Sequence, residues 1–94
     1  MVTFIHDRQF LNRGDVVIVE CDHQCNVRVM DDHNFEKFKQ GVQHRYYGGF
    51  YRILPARIVI PNSGYWNSTL DLGSRHAHVR HAVRYLKSSH VTAA

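Results

Sequence analysis

Asn26-Val27-Arg28-Val29-Met30-Asp31-Asp32-His33-Asn34-Phe35 reads as a strand that runs straight into a helix. From Asn26 to Met30 polar and apolar residues alternate, which puts Val27 and Val29 on one face and Arg28 on the other. At Asp31 the period changes. Its carboxylate can accept from the free backbone N–H groups of a first helical turn, so Asp31 is the expected N-cap. Met30 and Phe35 then occupy the N′ and N4 positions of a hydrophobic staple. Phe35 and Phe38 share a helix face. Lys37 and Lys39 follow the acids in the order the helix dipole favours, and Gly41 suits the residue after a C-cap. The spacing predicts one short helix, about Asp31–Gly41.

Working outward, every other patterned segment is extended. Asp15–Cys21, after the turn Asn12-Arg13-Gly14, is a β-branched run with apolar residues on both phases, a strand covered on both sides or nearly so. Arg45–Leu54 is rich in Tyr and Phe, and Gly48-Gly49 within it is expected to force a bulge or a tight bend. Ala56–Ile60 is a strand closed by Pro61. Tyr65–Leu72 alternates, with Trp66, Ser68, Leu70 and Leu72 on one face and Tyr65, Asn67, Thr69 and Asp71 on the other. The segment 76–86 fits both periods, and its Val, His and Tyr content favours a strand. Short strands at regular spacing plus one helix predict a mainly β chain: an antiparallel β-sandwich or barrel-like sheet, its helix covering an open end or edge. Residues 1–86 form the expected single β-rich domain, and 87–94 a short polar tail expected to fray.

A chain of 94 residues supports one domain and one compact core. No apolar run reaches membrane-spanning length, and Met1–Asp7 lacks the basic-then-apolar pattern of a secretory signal. Two cysteines in that context predict reduced thiols and a cytoplasmic protein. The net charge of +4, with eight histidines held neutral, suits acidic partners or nucleic acid.

Four constellations could carry chemistry. Cys21, His23 and Cys25 alternate and could face one metal, but a structural zinc site needs a fourth ligand; two thiols flanking a hairpin turn account for them. His76, His78 and His81, with Arg80, Arg84 and Lys87, make a basic row of the kind a half-buried strand presents to solvent. That row is also the candidate nucleic-acid surface (His76, His78, Arg80, Arg84, Lys87), whose signature would be steep salt dependence. Arg45, Tyr46, Tyr47 and Tyr51 interleave a cation with aromatics, which serves either core packing or the stacking of flat ligand rings. Asn62-Ser63-Gly64-Tyr65-Trp66 follows Pro61 as a turn that its own side chains can fix, and a loop held on a rigid scaffold is a natural wall for a binding site. No nucleophile elbow and no phosphate-cradling glycine loop is present.

The segments Asn26–Asp31 with Asn34-Phe35, Arg45–Gly49, Val59–Trp66, Asp71–Gly73 and Val79-Arg80, in this order and spacing, resemble the bacterial domain-of-unknown-function family numbered eighteen-eighty-three. The resemblance runs from about Phe10 to Leu86. It implies a small bacterial domain that stands alone or ahead of a TIR signalling domain, and it brings no activity, cofactor or catalytic residue. Two positions depart from the family pattern: its usual His after Ser-Gly is Tyr65 here, and its usual second Gly after Asp-Leu-Gly is Ser74. A reaction that needed that His would be lost in this chain.

Together these observations predict a non-catalytic module that recognises a ligand or protein partner through Asn34, Arg45, Tyr46, Tyr47, Asn62, Ser63, Tyr65 and Trp66. No metal or cofactor is assigned and no membrane partner is expected. Nucleic-acid binding through the basic row is the alternative, with a small metalloenzyme built on the His or Cys clusters behind it. A small sheet with exposed edges can also dimerise by strand pairing.

Overall fold

The computed structural model describes residues 4–71 and 80–88. In chain order the elements are β1 (Ile5–Leu11), β2 (Val16–Cys21), β3 (Cys25–Asp31), α1 (Asp32–Lys39), β4 (Tyr47–Tyr51), β5 (Ala56–Val59), β6 (Gly64–Asp71) and β7 (His81–Leu86). They build two antiparallel sheets, a four-stranded one in the order β1-β6-β3-β4 and a three-stranded one in the order β5-β2-β7. The mainly β sandwich expected from sequence is therefore the fold, without closure into a barrel. Among the described residues, no helix is long and apolar enough to cross a membrane.

The core lies between the sheets. Val17 and Val19 of β2 and Ala56 and Ile58 of β5 meet Val27 and Val29 of β3 and Trp66 and Leu70 of β6, all at most 6 % exposed. Val83 and Tyr85 of β7 pack against the same cluster. Ile18 points to the outer face of its sheet yet is buried. Its cross-strand neighbours are Arg57 and Arg84, whose aliphatic stems can cover it while their charges stay in water.

The other face of the larger sheet carries α1. Asp31 caps the helix as expected, its Oδ1 accepting from the Asn34 N–H at 2.9 Å. The helix ends in the predicted manner: Gly41 (φ 74°) donates its N–H to the Phe38 carbonyl, and the Val42 N–H reaches back to that of Lys37, the paired bonds of a Schellman cap. Phe35 and Phe38 turn inward with Phe4 and His6. That covering explains why Trp66 through Asp71 are all buried, although only one face of β6 is apolar.

Two expectations are corrected, and one strand is added. Cys21 and Cys25 do not flank a hairpin: β2 and β3 lie in different sheets, so 22–24 is an arch between layers. Gly48-Gly49 makes no bulge, because β4 pairs with β3 residue for residue from Cys25↔Tyr51 to Val29↔Tyr47. The polar segment Ile5–Leu11, which shows no clear strand pattern, is an edge strand on β6. The expected strand over 76–86 is β7 from His81 onward; residues 76–79, His76 and His78 among them, lie outside the described residues. At its far end the Ser88 N–H donates to buried Asp15 at 2.7 Å.

Candidate functional site

Where β3 passes into α1, the larger sheet opens into a cleft of about 510 Å³, within the range of small-molecule sites. It is lined by Met30, Asp31, Asn34, His44, Arg45, Tyr46, Tyr47, Asn62 and Trp66. Each wall has a local cause. The helix of eight residues advances only about 12 Å, and an extended segment of a few residues suffices to retrace it. Residues 42–46 do this, returning the chain to the helix start. Asn34 fastens the return. Its Nδ2 and its backbone N–H both donate to Asp31 Oδ1 at 2.9 Å, which leaves Asn34 Oδ1 to accept the Arg45 N–H, also at 2.9 Å.

The aromatic side of the cleft is braced in the same way. Trp66 Nε1–H donates to the Asn62 carbonyl at 2.9 Å, tying the 61–63 turn to β6. The Tyr47 ring meets Trp66 edge-on, with centroids 6.0 Å apart. Tyr46 lies against His44 at 5.5 Å and under the Arg28 guanidinium at 5.3 Å. His44 Nδ1 donates to the Val42 carbonyl at 2.9 Å. Its Nε2 is shielded from solvent and has no hydrogen-bond partner among the described residues.

A second hollow of about 550 Å³ adjoins the first, shares Asn34, His44 and Arg45 with it, and adds His33, Lys37 and Gln43. Its lining contains no carboxylate. Neither Lys37 nor Arg45 has an acidic partner among the described residues. In the first hollow the only lining carboxylate is that of Asp31, already engaged at the helix cap. The first hollow is thus the aromatic one, with one engaged carboxylate, and the second, which shares Arg45 and His44 with it, is basic.

Asn34, Arg45, Tyr46, Tyr47, Asn62 and Trp66 of the residues singled out from sequence meet in this cleft. Ser63 and Tyr65 do not. Ser63 Oγ accepts from the Arg13 N–H at 3.1 Å, on the 12–14 turn. Tyr65 lies on the opposite face of β6 from Trp66, edge-on to Phe10 and with the Arg8 guanidinium 4.0 Å from its ring centre. His44, Lys37 and His33 join the site without having carried a site signal of their own in the sequence. What points to them is the short link between the Gly41 cap and Arg45, which has to bring its residues back alongside the helix.

Polar chemistry elsewhere is committed to structure. Asp32 receives both arms of Arg8, at 2.7 and 3.0 Å, and Asn67 Nδ2 at 2.8 Å. Those bonds hold its carboxyl down at about 2. Asn67, fully buried, also meets His6 Nε2 at 2.8 Å. This network fastens α1 and β1 to β6. On the basic row, Arg84 pairs with Glu20, and Lys87 Nζ lies 3.5 Å from Asp15; Arg80 is exposed. Burial, then the neighbouring Cys21, pushes the Cys25 thiol up to about 12, and His23 is exposed. No group of three metal-ligating side chains occurs among the described residues.

Compared with known proteins, the chain matches the family model described as "Domain of unknown function (DUF1883)" over residues 2–89. No curated protein and no solved structure matches.

Proposed function

The chain belongs to the DUF1883 family, and from that premise we propose that it is a non-catalytic recognition module that binds a small ligand in the cleft between the start of α1, the 42–46 return and the 61–66 turn. One observation carries this: aromatic, amide and guanidinium groups from three separate segments converge on one cavity of about 510 Å³, with the Asn34 amide and the Trp66 indole held by hydrogen bonds, Tyr46 and Tyr47 by ring contacts, and the Arg45 backbone fastened to Asn34. Such preorganisation lowers the ordering cost of binding. The same groups include no nucleophile beside a base, which favours recognition over bond-breaking. Placed ahead of a TIR domain, the arrangement that the family resemblance implies, such a module would serve as the sensor of a signalling protein.

Nucleic-acid binding along β7 has weaker support, since Arg84 and Lys87 already face carboxylates. A metabolite library screened by thermal shift tests the proposal. Wild type should be stabilised by at least one small ligand, Arg45→Ala and Tyr46→Ala should lose that response, and Tyr65→Ala, on the far face, should keep it. A ligand lost equally by Tyr65→Ala, or no ligand at all, would refute this site.

A further inference from the structure

We propose that the ligand is a mononucleotide, its base held in the aromatic end of the cleft and its phosphate on the basic end. This rests on the proposed function above and names the ligand class. The observation is the polarity of the two adjoining hollows. Tyr46 and Tyr47 present exposed rings at one end, with buried Trp66 behind Tyr47, and every base has a flat face that can stack on an aromatic. Asp31, whose Oδ1 caps the helix, sits on that side. A carboxylate there disfavours an anion but can accept from an exocyclic amine or ring N–H.

At the other end, Lys37 and Arg45 are cations without acidic partners among the described residues, with His33 and His44 beside them. A phosphate oxygen accepts charge-assisted hydrogen bonds from such groups. The hollows adjoin at Asn34, His44 and Arg45, which line both, so one molecule lying across these side chains would engage ring and phosphate together. A sugar lacking phosphate would leave the basic end unused. Inorganic phosphate would leave the aromatic end empty. A nucleic-acid strand would need the basic surface to continue beyond the cleft, and Arg84 of β7 and the following Lys87 are turned instead to Glu20 and Asp15.

Isothermal titration of the full chain with AMP, GMP, CMP and UMP, their nucleosides, inorganic phosphate and a ten-nucleotide single strand tests this. At least one nucleoside monophosphate should bind about tenfold or more tightly than its nucleoside and than phosphate. Raising salt should narrow that gap, because only the phosphate contact is screened. Lys37→Gln should bring the nucleotide towards the affinity of its nucleoside and leave the nucleoside unchanged, whereas Tyr46→Ala should weaken both. Unaltered thermal midpoints would separate these effects from misfolding, and Arg45→Gln repeats the phosphate arm where Lys37→Gln does not fold.

Equal binding of nucleoside and nucleotide would overturn the phosphate assignment while the cleft survives as a ligand site. An oligonucleotide binding tenfold more tightly than any monomer would overturn it in favour of a nucleic-acid strand. If no nucleotide binds although the library screen yields a different ligand lost in Arg45→Ala, the inference fails and the recognition cleft stands; if neither binds, both fall.

Discussion

Gly48→Ala should be among the most damaging single-methyl additions this chain can receive. Gly48 has φ 119° and lies in β4 opposite Arg28. A Cβ built there falls under 3.0 Å from the Val27 carbonyl oxygen and 3.3 Å from Ile58 Cδ1. The oxygen is backbone and cannot swing aside, so either β3 and β4 separate or the alanine distorts. Holding an L-residue at that φ costs about 1–2 kcal/mol, and forcing a methyl into a filled space costs about 1–3 kcal/mol, together about 3 kcal/mol. A chain of 94 residues is stable by about 5–14 kcal/mol in all. Gly49→Ala is the matched control: its φ of 153° carries some of the same conformational cost, but a Cβ there meets nothing within 4 Å. It should lose about 1 kcal/mol. Urea denaturation followed by Trp66 fluorescence measures both, and Trp66 also reports on Tyr47 beside it. The damaged variant should lose ligand binding too, since a displaced β4 carries Tyr47 out of the cleft. Equal midpoints for the two variants, or a Gly48→Ala protein within about 0.5 kcal/mol of wild type, would refute the close approach of β4 to β3.

Further outcomes follow from the polar contacts. Asp32 titrates at about 2 when folded against about 3.9 when unfolded. Its stabilisation is therefore complete above about pH 4 and lost as pH falls towards 2; with its side chain 50 % exposed the amount is about 1 kcal/mol. Urea midpoints for Asp32→Asn should lack that share of the acid slope, and an unchanged slope would contradict the Arg8 and Asn67 bonds. Asn67→Leu should cost about 2–3 kcal/mol because Asp32 and His6 lose a buried partner; a calorimetric midpoint equal to wild type would count against the network. Cys25, buried and titrating at about 12, should resist iodoacetamide at pH 8 in the folded chain and react in urea. Mass spectrometry of the labelled peptides reads this directly, and rapid labelling of native Cys25 would show the site is not closed.

How much of this was legible depended on whether a residue's role is local. The Asp31 cap and the Gly41 exit follow from neighbours within a few positions, and both stand as the pattern implied. The alternation of β3 and β6 likewise marks which residues face the core. The partner of a strand is not local. Cys21-Asp22-His23-Gln24-Cys25 resembles a hairpin turn, yet β2 pairs with β5 and β7 while β3 pairs with β4 and β6. Nothing within the turn could reveal that. β1 escaped notice because an edge strand needs few apolar residues, and Asp7, Arg8 and Gln9 suit an edge. Tyr65 adjoins Trp66 in sequence but not in the site, because the pleat sends adjacent side chains to opposite faces. His44 and Lys37 were invisible as site residues until the 42–46 segment had been folded back along α1.

The crossing between layers at 22–24 is one instance of a wider arrangement with a kinetic consequence. Among the described strands, only β3 and β4 are consecutive partners, and α1 stands between them. β1 finds its place only when Ile5 meets Leu70, and β2 only when Val16 meets Val59 and Leu86. No ladder can therefore zip from a tight turn, and each must first meet the entropy of closing a long loop. A chain this small would otherwise be a candidate for microsecond folding; this wiring predicts about milliseconds to seconds. During synthesis β1 must wait, unpaired, until β6 has left the ribosome.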